Sequence, residues 1–337
     1  MSAAALGIAA AVCTLAALFP VYGYQGADAT AQRLKGSSST VAFNAVFIGS
    51  IVIAAFLAFL SRTSRFGAGM LVGAGLLTAA ESISDTTDFL RSGTDGSATY
   101  YSPGPGYWWG ITSCALCLAS AVLALIALRR CGALRIRATR VGIFWAITGM
   151  VLAIGWLIGT WMPWQKTTLT STVTDATKTV TLSECCSLSD MPGQFLAEAA
   201  LAFVLLIAVA LIGACISSAA TASGAILGSA FCAGASIVPG LMNKAPSIAD
   251  VASAWDTVTE DQLRQAQAAT ALHHLPGLWL TAAAVVGLIL LATARGMHGM
   301  VSGAGPDSVV YAKRESAGSP PAAQVLLSPE NSPKTGP

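Results

Sequence analysis

"GMLVG" at residues 69–73 and "GAILG" at residues 224–228 carry the same glycine spacing in two apolar stretches, at an offset of 155 residues. Whether this is coincidence or repetition decides how the chain is read. On a helix, glycines four apart share one face, and a second backbone can approach them closely. Gly69, Gly73, Gly224 and Gly228 are therefore read as helix-packing residues. Further matches follow in the same order: Pro20 with Pro163, Phe43-x-Ala45 with Phe195-x-Ala197, and "PGYW" (105–108) with "PGLW" (276–279). The offsets grow from 143 through 152 and 155 to 171. Residues are gained only between the matched apolar stretches, where a scaffold tolerates insertion.

The stretches are membrane spans in composition. The chain is 54% hydrophobic and 10% charged, and its apolar residues fall in long runs. A helix needs about 20 such residues to cross the hydrocarbon of a bilayer. Eight runs qualify or come close: 3–22, 42–61, 66–82, 107–128, 141–163, 194–215, 220–241 and 275–294. The first is read as a span and not a cleaved leader, because no basic residue precedes it. Four spans per copy is an even number, so both copies face the same way, unlike an inverted-repeat transporter. The expected fold is an all-α polytopic membrane protein of about eight transmembrane helices in two parallel four-helix repeats. A first module covers 1–130, a second 131–300, and a disordered tail 301–337.

Charge orients this bundle, since basic residues are retained on the cytoplasmic side. With the N-terminus inside, the inner segments hold eleven basic and three acidic residues, and the outer ones seven and thirteen. Both termini are expected to be cytoplasmic, in a plasma membrane. The basic connection "RRCGALRIRATR" (129–140) then meets anionic lipid.

Four outer loops separate the spans. "TTLTSTV" and "KTVTL" alternate β-branched residues around "TDA", which reads as a short extracytoplasmic β-hairpin. The corresponding loop of the first copy, "GYQGADATAQRLKGSSST", is shorter and lacks cysteines, so the hairpin is assigned to the second copy alone. Residues 83–106 read as an acidic loop, and 247–272 as a helix "EDQLRQAQAATAL" capped by Thr259 with Gln262 completing a capping box. Cysteines ahead of the sixth span and its Phe-x-Ala start, in "CCSLSDMPGQFLAEAALAF", together with the four-span plan, resemble the claudin-like proteins, and among them the amastins of trypanosomatid surfaces. The resemblance covers one copy at a time; the first copy has no loop cysteines, and the family's aromatic-cysteine signature is missing. It implies a surface protein of contacts or envelope organisation without catalysis.

Reactive residues are few. Glu198 is the carboxylate nearest a span interior, which makes it a candidate for proton- or ion-coupled transport. Cys114-Ala-Leu-Cys117 lies near the outer end of the fourth span, a placement that resembles membrane thiol oxidases passing electrons from a CxxC to quinone. Cys185 and Cys186 would then be the loop shuttle, or one of them an intermolecular bridge. His273 and His274 lack an acidic companion at metal-ligand spacing, so no metal is expected. No nucleotide or cofactor motif occurs. In the tail, Ser319, Ser328 and Ser332 each precede proline and are candidate phosphorylation sites. The expected function is non-enzymatic: a surface or envelope organising protein acting through its outer loops, its partners the lipid bilayer and a membrane protein or a second copy of itself, not nucleic acid. The alternatives are a small-solute or lipid carrier using Glu198, and a quinone-linked thiol oxidoreductase using Cys114 and Cys117.

Overall fold

Helices α1 (Ser2–Ala17), α2 (Ser38–Phe59), α3 (Ser64–Arg91), α4 (Pro105–Arg130) and α5 (Arg140–Trp161) come first, joined by the short strands β1 (Gly23–Gln25), β2 (Thr30–Gln32) and β3 (Tyr101–Pro103). After them come β4 (Gln165–Val173), β5 (Ala176–Cys185), a helical stretch α6 (202–209), α7 (Ala219–Ala235), α8 (Ile237–Met242), α9 (Ile248–Ala254), α10 (Glu260–Gln265), β6 (Ala269–His274) and α11 (Pro276–Gly303). The computed structural model describes residues 2–21, 23–25, 30–32, 38–91, 101–134, 140–173, 176–185, 200, 202–209, 216, 218–254 and 259–303.

Among the described residues, five helices are long and apolar enough to cross a membrane: Val41–Phe59, Pro105–Arg130, Gly142–Trp161, Ala219–Met242 and Pro276–His298. They coincide with five of the expected spans, and their lipid-soluble exteriors mark an integral membrane protein. Most of the expected sixth span, 194–215, lies outside the described residues. The other two differ from expectation. The first ends at Ala17, because the residue before a proline is driven out of the helical region and Pro20 follows closely. The third does not stop near residue 82; α3 continues to Arg91, since "ESISDTTDFLR" contains neither glycine nor proline. At 28 residues, α3 is about 42 Å long and exceeds the hydrocarbon thickness.

The two glycine pairs meet each other. α3 and α7 pack side by side, with Gly69 against Thr221 and Ala225, and Gly73 against Ala225 and Ser229. Reciprocally, Gly224 lies against Phe66 and Met70, and Gly228 against Met70 and Ala74. Every contact of one pair has its counterpart 155 residues away in the other, which is the pattern of a two-fold interface. Positions rise together along both helices, so α3 and α7 are parallel. The surrounding contacts recur as well: α1 packs on α4 as α5 does on α11, and α3 on α4 as α7 does on α11.

The strands lie at one end of the bundle and correct the expectation of a single hairpin. They form two three-stranded antiparallel sheets, ordered β2-β1-β3 and β5-β4-β6. In each, the strand after α1 or α5 pairs with its hairpin neighbour and with a strand just before a proline-led helix, α4 or α11. The expected long helix across 260–272 is also shorter. Its capping box of Thr259 and Gln262 is present, but α10 ends at Gln265 and residues 269–274 join the sheet. Gln267 adopts a left-handed φ of 48°, and Ala268 and Gln267 donate back to the Leu263 and Arg264 carbonyls. This is a Schellman stop without the usual glycine.

A second box caps α9: Ser247 N–H donates to Asp250 Oδ2, and Asp250 N–H donates to Ser247 Oγ. Hydrogen bonds from the Ser247 hydroxyl and amide hold the Asp250 carboxyl below its ordinary value. A depressed carboxyl stabilises the cap above the unfolded aspartate range, about pH 4, and the contribution is lost as pH falls through the folded value. Amide protection across 248–254, measured against the intrinsic exchange rate, should therefore fall below about pH 4, and Asp250→Asn should flatten that dependence; an unchanged protection profile in the wild type would refute the link.

Candidate functional site

The sheet β5-β4-β6 is anchored to the bundle through Gln165, which is 2% exposed. Its Nε2 donates to the Gly240 carbonyl in α8, and its Oε1 accepts from Asn243 Nδ2 at 3.0 Å. Trp164, one residue earlier, donates from Nε1 to the Gly159 carbonyl at 2.9 Å, and its own carbonyl accepts from Leu275 N–H at 2.8 Å. Gly159 and Gly277 let α5 and α11 close beneath this anchor: a Cβ on Gly277 would lie 2.8 Å from the Pro163 carbonyl.

Above the anchor, alternation separates two faces of the sheet. Leu169 packs with Val251, Leu263 and Ala268, so α9 and α10 are held against one face. On the other, threonines stand opposite each other across β4 and β5, as Thr168 with Thr181, Thr170 with Thr179 and Thr172 with Thr177. Thr168 Oγ1 and His273 Nε2 are 3.3 Å apart, and the His274 ring meets Trp279 edge-on at 6.2 Å. The histidines serve the sheet, and no group of three potential metal ligands occurs among the described residues. β6 pairs with β4 only as far as Thr170. Beyond it the hairpin projects, with Thr177 and Lys178 exposed, and the outer edge of β5 beside the ladder is open as well, Val180 being 41% exposed.

The other candidate residues are dispersed. Cys117 is buried in the bundle core, Cys114 is half-buried, and both are free thiols. Cys185 ends β5, while Cys186, Glu198, Ser319, Ser328 and Ser332 lie outside the described residues. Charge is segregated along the bundle. Where α4 and α11 finish, Arg62, Arg65, Arg129, Arg130, Arg140 and Arg295 gather without an acidic residue among those described. The described acidic residues, from Glu81 to Asp261, lie towards the sheet end.

Gln165, Asn243 and Gly159 were not singled out by sequence, and Gly277 only as part of the "PGLW" match. The signal for Gly159 is visible in hindsight, since "GWLIG" (155–159) is another glycine pair four apart. For Gln165 there is only a long polar side chain directly after the span's last tryptophan. The chain matches no protein-family model, no curated protein and no solved structure.

Proposed function

We propose that the chain is a non-enzymatic membrane protein that organises contacts at a cell surface, with two parallel four-helix modules as its membrane part and its outer loops as the working face. The observation that carries this reading is the projecting β4–β5 hairpin: a stretch of exposed strand held on a buried amide anchor, over a bundle whose shared axis is filled by backbone contact at four glycines. A filled axis suits a scaffold better than a conduit. Duplication is supported by the reciprocal α3–α7 contacts and by the common strand order of the two sheets. The arginine-rich end favours a cytoplasmic placement of both termini in the plasma membrane. Likeness to amastin-type surface proteins agrees with this reading through the four-span plan alone.

The test is to shorten the hairpin by joining residue 170 to residue 179 through a glycine linker, and to compare cross-linked species from the native membrane by mass spectrometry. A stoichiometric membrane-protein partner, or a second copy, should be lost from the shortened variant and retained by Glu198→Gln and Cys117→Ser. Retention of the same partners without the hairpin, or loss of solute uptake in Glu198→Gln, would sink the reading.

A further inference from the structure

At the arginine-rich end, α1 and α4 finish at different levels. Ser120 donates to the Ala3 carbonyl at 2.7 Å, which sets the first turn of α1 beside the middle of α4. From there α4 continues to Arg130, ten residues or about 15 Å further. The step leaves a cavity of about 440 Å³ lined by Ser2, Leu123, Ile126, Ala127, Arg130 and Cys131. Leu123, Ile126, Ala127 and Arg130 are spaced i, i+3, i+4 and i+7, so they form one stripe with three apolar residues and a guanidinium at its end. Below it the chain turns away sharply, because Gly132 has φ 71° and the Gly132 and Ala133 amides donate back to the Arg129 and Leu128 carbonyls.

We infer that this groove holds one phospholipid with an anionic headgroup, its phosphate at Arg130 and an acyl chain along Ala127, Ile126 and Leu123. Three features select this occupant. The apolar stripe runs inward from the end of α4, so its walls lie at acyl-chain depth. Its mouth is cationic, with Arg129 and Arg130 in the last turn of α4 and no acidic residue among the described residues of that end. The first-turn amides of α1, which have no intrahelical acceptor, add positive potential where Ser2 lines the cavity. A zwitterionic headgroup would present its own cation to Arg130, whereas an anionic one would not.

Full-length protein, reconstituted in nanodiscs of equal phosphatidylglycerol and phosphatidylcholine and then released, would be weighed by native mass spectrometry. One retained phosphatidylglycerol is expected, favoured about fivefold over phosphatidylcholine, the preference one basic side chain confers near a surface. Arg130→Gln should abolish the preference, and Ala127→Trp should remove the adduct by filling the groove. Arg65→Gln, at the same end but outside the groove, should change neither. If Ala127→Trp does not fold, the contrast between Arg130→Gln and Arg65→Gln decides alone. Equal loss in those two variants would mean diffuse attraction and overturn the site, as would an adduct unaffected by Arg130→Gln. A mass increase that survives denaturation, is released by hydroxylamine and is absent from Cys131→Ser would place the chain on Cys131 as a thioester, and would equally overturn it.

Discussion

Gly73→Ala is expected to destabilise the protein by about 1–3 kcal/mol, the usual cost of forcing a methyl into a filled interior, and Gly228→Ala by a similar amount. The added methyl at Gly73 would fall inside contact distance of the Ala225 carbonyl and 2.8 Å from Ser229 Oγ, and at Gly228 it would fall 3.0 Å from Ala74 N. Backbone cannot step aside as a side-chain terminus can, so α3 and α7 must separate along their length. The reciprocity of the contacts is what makes the two penalties similar. Gly49→Ala provides the opposite sign: nothing lies within 4 Å of a Cβ there, and alanine in place of helical glycine gains up to about 1 kcal/mol. Unfolding midpoints in detergent, followed by tryptophan fluorescence, would measure all three. Equal effects of Gly73→Ala and Gly49→Ala would disprove the close crossing.

Gln165→Leu is the second large effect, expected to cost about 1–3 kcal/mol because two groups lose a partner together. The Gly240 carbonyl loses its donor, and Asn243 Nδ2 loses its acceptor. Leucine preserves volume, so the cost isolates the hydrogen bonds. The loss should be local: amide exchange should rise across 237–246 and in β6 before the bundle loosens. Asn243→Ala should add little once Gln165 is gone, and a double-mutant cycle should show coupling of about 0.5–3 kcal/mol. Strict additivity of the two substitutions would show that Asn243 and Gln165 do not act as a unit.

The parts of this architecture that were legible in the sequence are those whose cause is local. Glycine at four-residue spacing announces close approach, and Gly69, Gly73, Gly224 and Gly228 do approach, although nothing in the sequence says that the two pairs face each other. The threonine alternation of 167–182 announces β4 and β5 because strands that long carry their own pattern. The three-residue strands β1, β2 and β3 carry none, and they exist because tertiary pairing holds them. The polar composition of 83–106 reads as a loop, but polarity marks departure from lipid and not the end of a helix. The break after α10 depends on a glutamine in a backbone region where glycine is the usual sign. The anchor at Gln165 involves partners 75 and 78 residues away, a separation that no local pattern records.

The pairing of β4 with β6 also has a mechanical side. Their ladder runs without interruption from Gln165 opposite His274 to Thr170 opposite Ala269, and the hairpin tip projects beyond it along the same line. A pull on the tip therefore loads the ladder in shear, so that its bonds resist together instead of peeling one after another. Because β4 follows α5 and β6 leads into α11, the tension is divided between two helices that cross the membrane side by side. A load applied to this loop would meet a double mooring.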